Sequence, residues 1–527
     1  MDLPPPRRTA PPPRRLPRGR VLAAIGATAV VAGLALGGLV RLTSDPDSND
    51  SLGVVRTSSP SATPSATSQA TPDSSAAASP SVGASTPTSR PVGPEPKPIK
   101  DLLPVKGSGR QIGGEVLMAA GRDGQLYVGI HTDAGEVLTL LDRNGRPRPG
   151  WPIVLKGNEF CNQLLAAPDG SVRILCYRPD TIDGLGNGIT EAHAFGRDGK
   201  VLPGWPADVS GAFTGRMVGD DLVVLSLTYQ GDAPEENAPE YIHMDVVEAD
   251  GATRSGVDVA FSSGDIAFAL GPDGMAIVST REWADAGSTV TTTLTVFDEH
   301  GVRDGWPIII DGSASEVAFD PSGHVHLVVS APYERPSRTV VISPDGGQRV
   351  GSDDLDIVSS LTWAGAGDPY PGAPIVAADG STFIVSTEDV GTTIMGLDAD
   401  GQSLSGWPYR SKLGIQFIDR CEAEDTGCGS NRTPIGIDSH DVLYLVHEAA
   451  NSSAGGSLVA IGPDGRIRDG WPVGLRRAGS VFWGLEVNPD GGAYALAIEP
   501  EGKGHSATIV AVDADSTVRY TTTIVEP

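Results

Sequence analysis

The sequence predicts an all-β fold, an eight-bladed β-propeller, for residues 100–527. Three observations carry this prediction: a Gly-Trp-Pro motif that recurs five times after a tight-turn signal, a second series of turn signals that alternates with it, and short apolar runs between the turns. Four short strands with two tight turns, repeated roughly every fifty residues, form the pattern of a propeller blade. Helices are not expected in this part, because Gly and Pro are frequent and no long 3.6-residue periodicity occurs.

The clearest copy of the repeat, IMGLDADGQSLSGWPY, covers Ile394 to Tyr409. Its apolar start predicts a strand, and the Asp-Gly step after it supplies the positive φ of a tight hairpin. Trp407 can bury roughly 150–250 Å² against a neighbouring sheet. Pro408 cannot donate a ladder hydrogen bond, so we expect it at the outermost strand of a sheet. The related copies are LLDRNGRPRPGWPIVL, AFGRDGKVLPGWPADV, VFDEHGVRDGWPIII and AIGPDGRIRDGWPVGL.

The second turn signal sets the number of blades. Each of its copies precedes a strand-like run and then a turn of the first kind, so the two series interleave eight times. Three of the eight cycles lack Gly-Trp-Pro, and seven blades therefore remain the alternative. The copies lie at Asp123-Gly124, Asp169-Gly170, Asp220-Asp221, Asp273-Gly274, Asp320 to Gly323, Asp379-Gly380, Asp438 to Asp441 and Asp490-Gly491.

Closure of the ring has two interpretations. The segment from Leu102 to Gly107 is similar to Trp151 to Gly157, which favours an N-terminal segment as the fourth strand of the last blade. Alternatively, Thr521 to Val525 supplies that strand. The sequence favours the first interpretation and leaves the second open.

The N-terminal part predicts a membrane anchor. Residues 1–20 form a Pro-rich tail with six arginines, and we expect a disordered cytoplasmic segment. Residues 21–42 predict a single transmembrane helix, because Val21 to Val40 carry no charge and about 20 residues span roughly 30 Å of bilayer. The arginines place the N-terminus in the cytoplasm and the rest of the chain outside it. A cleaved signal peptide is the alternative, although no small-x-small cleavage site follows.

Residues 43–99 predict a disordered linker of Ser, Thr, Pro and Ala, which bury too little apolar surface to offset the entropy of ordering. A flexible coil of about 55 residues reaches roughly 40 Å r.m.s.. Residues 1–42 hold seven arginines and one aspartate, so the total charge of −27 leaves −33 for residues 43–527. That charge repels phosphate backbones, and nucleic acid is not an expected partner.

Small residues recur along one face of the predicted membrane helix. Ala29, Gly33 and Gly37 are spaced by four residues, the spacing at which two membrane helices can approach closely. A weak homodimer through this helix is one interpretation. The other is that Gly and Ala are simply common in membrane helices.

Four cysteines follow the predicted membrane helix, which favours disulfides. Cys161 and Cys176 lie at similar distances on either side of a predicted turn, so we expect them to face each other across two strands. Cys421 and Cys428 would close a short acidic loop. In the chain-entropy model the two bridges contribute about 3 and about 2.5 kcal/mol. Free thiols and crossed pairs are the alternatives.

The order of Asp398, Gly401 and Trp407 within the repeat resembles that of the quinoprotein-type (PQQ-like) eight-bladed propeller superfamily. The resemblance covers residues 104–527 at the level of the repeat and implies the propeller fold. The distance from Gly to Trp is longer here, the Trp is always followed by Pro, and the adjacent cysteine pair of many such dehydrogenases is missing. None of the superfamily's cofactor or calcium residues matches a position here, so the resemblance implies no activity.

Metal and cofactor sites are weakly indicated. His324 and His326 would place two imidazoles on one face of a strand, which suits zinc or copper, but no third ligand is evident. The Asp398 to Gly401 step lacks the further acidic residues of a calcium loop and is explained as a hairpin turn. No metal site or cofactor is therefore assigned, although PQQ and calcium stay open. The chain has no nucleophile elbow, phosphate loop or CxxC motif.

The variable loops indicate where a ligand would bind. In a four-strand meander the two Asp-Gly turns fall at one end of every blade, so variation in length falls at the other end. The longest variable segments, Gly351 to Gly372 and Arg410 to Thr433, are predicted to connect the fourth strand of one blade to the first strand of the next. They would form an aromatic and acidic rim suited to a basic or sugar-like ligand; the alternative is solvated loops. The candidate binding residues are Trp363, Asp368, Tyr370, Arg420, Asp425 and, farther round, Trp283.

Two functional classes follow from this organisation. The favoured one is a membrane-anchored, extracytoplasmic binding or scaffold module for protein, glycan or cell-envelope partners. The alternative is an extracytoplasmic enzyme, such as a quinone-cofactor dehydrogenase, a hydrolase or a lyase. No catalytic residue is assigned, and the sequence favours a protein that is not an enzyme.

Overall fold

The computed structural model of the protein describes most of residues 116–525, and nothing is described before residue 116. The described ranges are 116–132, 135–155, 160–178, 189–209, 211–229, 240–261, 265–284, 289–314, 317–329, 338–350, 374–388, 391–415, 435–448, 456–475, 481–501 and 504–525. The predicted basic tail, membrane helix and linker lie outside these ranges. Within them, no helix is long and apolar enough to span a membrane.

Eight antiparallel sheets form the fold, and each sheet is one blade made from consecutive strands. The blades cover residues 116–155, 160–208, 212–261, 265–311, 317–350, 375–411, 414–474 and 481–525, numbered 1 to 8 in that order. The predicted all-β propeller with eight blades is therefore confirmed. The described residues contain no helical element longer than the three-residue turns at Arg122–Gly124 and Pro272–Gly274.

The strands of blades 1–4 are β1 (Val116–Ala120), β2 (Leu126–Thr132), β3 (Gly135–Leu141), β4 (Ile153–Leu155), β5 (Phe160–Ala166), β6 (Val172–Arg178), β7 (Ile189–Phe195), β8 (Ala207–Asp208), β9 (Ala212–Val218), β10 (Asp221–Tyr229), β11 (Glu240–Val247), β12 (Thr253–Phe261), β13 (Asp265–Leu270), β14 (Ala276–Ala284), β15 (Thr289–Asp298), β16 (Gly301–Val302) and β17 (Ile308–Asp311). Both β16 and β17 pair with β15, so together they form the interrupted fourth strand of blade 4.

The strands of blades 5–8 are β18 (Val317–Phe319), β19 (Val325–Val329), β20 (Arg338–Ile342), β21 (Gln348–Val350), β22 (Ile375–Val376), β23 (Thr382–Glu388), β24 (Gly391–Leu397), β25 (Tyr409–Ser411), β26 (Gly414–Ile415), β27 (Ile435–Ile437), β28 (Leu443–Glu448), β29 (Gly456–Ile461), β30 (Val473–Gly474), β31 (Val481–Val487), β32 (Ala493–Glu501), β33 (Gly504–Val512) and β34 (Val518–Val525). Both β26 and β27 pair with β28.

The first strands of the blades line the centre of the ring. Strand β1 contacts both β5 and β31, and the series continues through β9 on one side and through β27, β22, β18 and β13 on the other. The Pro272–Gly274 turn, which follows β13, contacts β9 and completes the circle. Eight buried apolar clusters fill the spaces between the blades, one in each space.

The favoured interpretation of ring closure is wrong. Strand β34 pairs with β33 along its whole length and occupies the fourth position of blade 8. The alternative segment, Thr521 to Val525, thus supplies that strand, and Leu102 to Gly107 lie outside the described residues. Side chains then close the ring: Arg519 donates to the carbonyl of Gly124 at 3.1 Å, and Tyr494 donates to the carbonyl of Gln125 at 3.4 Å.

Both turn series behave as hairpin turns and lie at one end of the blades, which we call the turn face. In blade 3 the two series touch, because the backbone N–H of Ala249 donates to Asp221 Oδ1 at 3.1 Å. The turn acids hold the loops. Asp398 Oδ1, for example, accepts the backbone N–H groups of Asp400 and Gln402 at 3.0 and 2.8 Å. The predicted role of this carboxylate in a hairpin turn is confirmed.

Each Gly-Trp-Pro motif joins its blade to the next one. All five Trp-Pro peptide bonds are cis, and the indoles are more than nine-tenths buried. The indole N–H of Trp151 donates to the carbonyl of Arg197 at 3.0 Å, and three further indoles repeat this bond. Those pairs are Trp205 with Ala249 at 3.2 Å, Trp306 with Pro344 at 3.1 Å and Trp407 with Pro463 at 2.9 Å. The predicted packing of the tryptophan against a neighbouring sheet is confirmed.

Candidate functional site

The end of the blades opposite the turn face, here called the loop face, carries the connections that differ between blades. Some are short, since Thr132 and Gly135 already pair across the β2–β3 hairpin. Others, such as residues 179–188 and 351–373, fall outside the described ranges. The sequence predicts a ligand-binding rim at this face.

Most of the predicted rim lies outside the described residues. This applies to Trp363, Asp368, Tyr370, Arg420 and Asp425, and also to the predicted Cys421–Cys428 pair. The backbone of Trp283 is described: it lies on β14 and pairs with Val290, near the loop-face end of blade 4. The rim therefore stays a prediction.

The second long variable segment begins elsewhere than the sequence predicted. Strand β25 ends at Ser411 and β26 begins at Gly414, so the connection from blade 6 to blade 7 is only two residues long. Residues 416–434 instead interrupt the first strand of blade 7, because Ile415 pairs with His447 and Ile435 pairs with Leu445. The assignment of Arg410 to Thr433 as a connection between blades is thus wrong. A two-residue strand carries too short a pattern to reveal β26 from sequence.

A buried imidazole lies beside this insertion. His447 is 1% exposed; its Nε2 lies 3.4 Å from the Tyr409 hydroxyl and its Nδ1 lies 3.4 Å from Ser411 Oγ. Ser411 Oγ also accepts the backbone N–H of Leu413 at 3.0 Å. Burial lowers the pKa of His447 to about 4, so the imidazole is neutral at neutral pH. The group connects blades 6 and 7 beside the start of the insertion.

A second group of ionisable side chains lies between blades 1 and 2 near the loop face. Glu136 is 1% exposed and Glu191 is 7% exposed. His131 Nδ1 lies 3.4 Å from Glu136 Oε2, and His193 Nε2 lies 3.5 Å from Glu191 Oε2. Sequence reasoning missed both pairs. The register between strands brings His131 opposite Glu136. No local sequence motif indicates this pairing.

The disulfide predicted between Cys161 and Cys176 is confirmed. The two residues pair directly across β5 and β6, and both are almost fully buried in the cluster between blades 1 and 2. Cys176 also pairs with Glu191 on its other side. The bridge therefore fixes the sheet that carries the Glu191–His193 pair.

The histidine pair considered for metal binding lies at the turn face. Asp320 Oδ2 contacts His324 Nδ1 at 2.9 Å and His326 Nε2 at 3.4 Å, and Thr382 Oγ1 of blade 6 lies 2.7 Å from His326 Nδ1. Burial lowers the pKa of His326. In the part of the chain that the structure describes, no three His, Cys, Asp or Glu residues are grouped to hold a metal ion. These contacts connect blade 5 to blade 6.

Comparisons with known proteins find similar solved structures at low sequence identity. No family model matches the chain, and no curated protein matches it. Acylaminoacyl peptidase of Pyrococcus horikoshii is similar, with 10% identity over 76% of this chain and 58% of that one and a TM-score of 0.39. Dipeptidyl peptidase 4 of Porphyromonas gingivalis has 11% identity over 82% of this chain and 62% of that one, with a TM-score of 0.45.

Puromycin hydrolase is also similar, with 14% identity over 79% of this chain and 63% of that one and a TM-score of 0.39. The chain thus spans less than two thirds of the length of each of these three proteins. The likeness is one of fold alone. The quinoprotein-type superfamily is not established by these comparisons, and the resemblance to it stays at the level of the repeat.

Proposed function

We propose that the protein is a membrane-anchored, extracytoplasmic propeller that binds its partner at the loop face. One observation carries this proposal: a 19-residue insertion, residues 416–434, leaves the innermost strand of blade 7 beside the buried His447 group. The propeller fold itself does not require an interruption of an innermost strand. Variable segments mounted on a rigid scaffold are where binding residues concentrate.

The turn face is poorly suited to the same task. Its turns are in close contact with the neighbouring blades, through the indoles described above and through backbone contacts such as Gly199 against Gly150. A change in the length of one turn would separate two blades. Recognition that varies between partners therefore belongs at the loop face.

The chemistry of the partner follows from charge and from the predicted rim. Residues 43–527 carry a net charge of −33, which favours basic partners over anionic ones. The candidate rim residues combine aromatic and acidic side chains, a composition suited to a sugar or a basic protein surface. The disulfide supports an extracytoplasmic location, because such bridges persist mainly in oxidising compartments.

A binding experiment tests the proposal directly. Full-length protein in detergent is passed over immobilised glycans and Lys-rich peptides, alongside the Trp363→Ala and Tyr370→Ala variants. A Val201→Ser variant serves as the matched control, because Val201 is an exposed apolar residue of the turn face. We expect the two rim variants to bind at least tenfold more weakly than the wild type. We expect the control variant to bind as the wild type does. Equal binding by all variants would overturn the assignment of the rim.

The location is tested on intact cells. External protease is added, and the cell-bound fragments are identified by mass spectrometry. We expect cleavage within residues 43–99 to release the propeller and leave residues 1–42 with the membrane. Protection of the propeller until the cells are lysed would contradict an extracytoplasmic location.

The second candidate is an extracytoplasmic enzyme. All three similar structures named above are those of peptidases or of a hydrolase, which makes this alternative worth testing although a likeness of fold decides nothing about activity. The observation in its favour is that Ser411 Oγ lies 3.4 Å from His447 Nδ1. Against it, a pKa of about 4 makes His447 a weak general base at neutral pH.

Two assays separate the candidates. A fluorophosphonate probe would label wild-type protein and spare the Ser411→Ala variant if Ser411 were an activated nucleophile. Addition of PQQ with Ca²⁺ would produce a bound chromophore if the protein were a quinone-cofactor dehydrogenase. We expect neither signal. Either one, at one equivalent per chain, would replace the binding proposal with the enzyme.

A further inference from the structure

The contact between two consecutive blades is here called a joint, so that the 5/6 joint lies between blades 5 and 6. Each joint has one buried apolar cluster. Seven of these clusters contain nine or more buried residues of the described chain. The cluster of the 5/6 joint contains only three: Val328, Ile384 and Leu397. Apolar burial is the main force that holds one blade against the next, and among the described residues the 5/6 joint has the least of it.

Among the residues that the structure describes, the same joint contains no tryptophan. In blade 6, Trp407 lies over Phe383 on the second strand, against Gly396 on the third strand, and reaches the next blade near Gly465. The strand register gives the equivalent positions in blade 5. His326 pairs with Val341 in blade 5, just as Phe383 pairs with Gly396 in blade 6. Blade 5 belongs to the three cycles without Gly-Trp-Pro, and no indole is supplied from its motif position.

A recess lies at the place that an indole takes in the five joints with Gly-Trp-Pro. Its lining includes His326 and Val341 of blade 5 and Leu397, Asp398 and Gly401 of blade 6. The volume is about 10 Å³, which corresponds to roughly one water molecule and is far too small for an indole ring. The described residues of the two blades thus pack around a small gap instead of a large aromatic side chain.

The polar contacts of this joint are incomplete. Thr339 lines the recess, is 4% exposed, and its hydroxyl has no hydrogen-bond partner among the described residues. A buried hydroxyl without a partner has lost its hydrogen bonds to water and gained none in return, so its burial is unfavourable. Water that enters between the blades would satisfy it. The hydroxyl therefore favours the separated blades over the closed ones.

Compensating contacts exist at the other two joints without Gly-Trp-Pro. At the 8/1 joint, Tyr520 packs against Gly145 and Arg519 donates to the Gly124 carbonyl. At the 3/4 joint, Arg254 donates to Glu299 at 2.7 Å. At the 5/6 joint the described polar contact near the recess is the one between Thr382 and His326.

We propose that the propeller ring opens first at the joint between blades 5 and 6. Opening here means separation of the two sheets while the hydrogen bonds within each blade remain. The separation exposes Leu397 and the Thr339 hydroxyl to water and leaves the other seven joints closed. Residues 351–373, one of the two long variable segments, connect blade 5 to blade 6 in the sequence. Opening of the 5/6 joint would therefore change the spacing of the loop face between these two blades.

Thiol labelling measures opening at one joint at a time. Leu397→Cys reports on the 5/6 joint, and Ile461→Cys is the matched control at the 6/7 joint. Both residues end the third strand of their blades, four residues before the turn glycine, and are 1% and 0% exposed. In full-length protein under native conditions we expect at least tenfold faster labelling at position 397. Labelling at position 461 that is equally fast or faster would overturn the proposal.

A second substitution separates local opening from global unfolding. Thr339→Val removes the unpartnered hydroxyl at constant volume, and we expect it to slow labelling of Leu397→Cys severalfold. Thr139→Val is the control, because Thr139 is also buried without a described partner but lies in blade 1. Equal slowing by both variants, or slowing by neither, would contradict local opening. Hydroxyl-radical footprinting of unmodified protein compares Leu397 with Ile461 without any substitution.

Discussion

Gly150 and Asp198 meet backbone to backbone across the 1/2 joint: a Cβ atom on Gly150 would lie 2.0 Å from the carbonyl oxygen of Asp198. The glycine of the Gly-Trp-Pro motif is therefore required for close approach between blades. It also has a φ of 93°, a conformation that costs other residues about 1–2 kcal/mol.

The first prediction concerns this glycine. Gly150→Ala should lower the free energy of unfolding by about 3 kcal/mol or more, since it adds a steric clash to an unfavourable φ. Gly219→Ala is the matched control, because Gly219 also has a positive φ but nothing lies within 4 Å of its Cβ position. We expect the control to cost only about 1 kcal/mol. Urea denaturation measures both, and equal losses would contradict a role of Gly150 in the joint.

The second prediction separates the indole hydrogen bond from the packing of the ring. Trp151→Phe keeps an aromatic ring between Tyr127 and Phe195 but loses the donor to the Arg197 carbonyl, which should cost about 1 kcal/mol. Trp471 has no described acceptor for its indole N–H, so Trp471→Phe should lose no hydrogen bond. The difference between the two variants in thermal melting measures the bond. A larger loss for Trp471→Phe would contradict this assignment.

The third prediction is a loss of stability in acid caused by His447. Its pKa is about 4 in the folded protein and 6.5 when exposed, so the unfolded chain binds the proton more readily. The contribution of His447 is therefore complete above about pH 6.5 and is lost as the pH falls from there to about 4. The full shift corresponds to about 3 kcal/mol. His447→Gln should flatten the stability profile in this window, and an unchanged profile would contradict the burial of a neutral imidazole.

The fourth prediction has the opposite sign. His243 contacts Asp258 Oδ1 at 2.7 Å and Asp245 Oδ1 at 2.9 Å, and hydrogen bonding to Asp245 is the main cause that raises its pKa to about 9. Its contribution is complete below about pH 6.5 and is lost as the pH rises through about 9. Denaturation of His243→Gln between pH 6 and pH 10 should show a flatter alkaline branch than the wild type does.

The fifth prediction concerns the disulfides. Replacing Cys161 and Cys176 by Ala should lower stability by about 3 kcal/mol, since the bridge closes a loop of 15 residues. Peptide mapping without reductant should recover the Cys161–Cys176 bridge in the wild type. The same map tests the Cys421–Cys428 pair, and a peptide joining Cys161 to Cys421 would contradict both assignments.

The eight blades could be predicted from sequence because the signals for them are local. In a turn such as Asp398 to Gly401, the glycine and the capping carboxylate indicate the conformation of the turn. The apolar runs beside the turn indicate the strands. The number and order of the blades follow from counting such signals. No knowledge of distant contacts is needed.

Features that depend on distant pairing could not be predicted in this way. Both Leu102 to Gly107 and Thr521 to Val525 are suitable edge strands, and only the pairing of β34 with β33 decides between them. Strand β26 pairs through two residues, Gly414 and Ile415, which form no pattern of their own. Glu136 and His131 meet because of strand register. The pairing between these residues cannot be predicted from the local sequence.

Blade 8 is completed by β34, so each of the eight sheets is made from one uninterrupted stretch of chain. Among the described strands, none is borrowed from the opposite end of the sequence. A genetic duplication or deletion with endpoints between two blades would therefore add or remove a whole sheet without splitting any of the others. The repeats without Gly-Trp-Pro, such as those that contain β12 and β21, can consequently be exchanged as whole sheets.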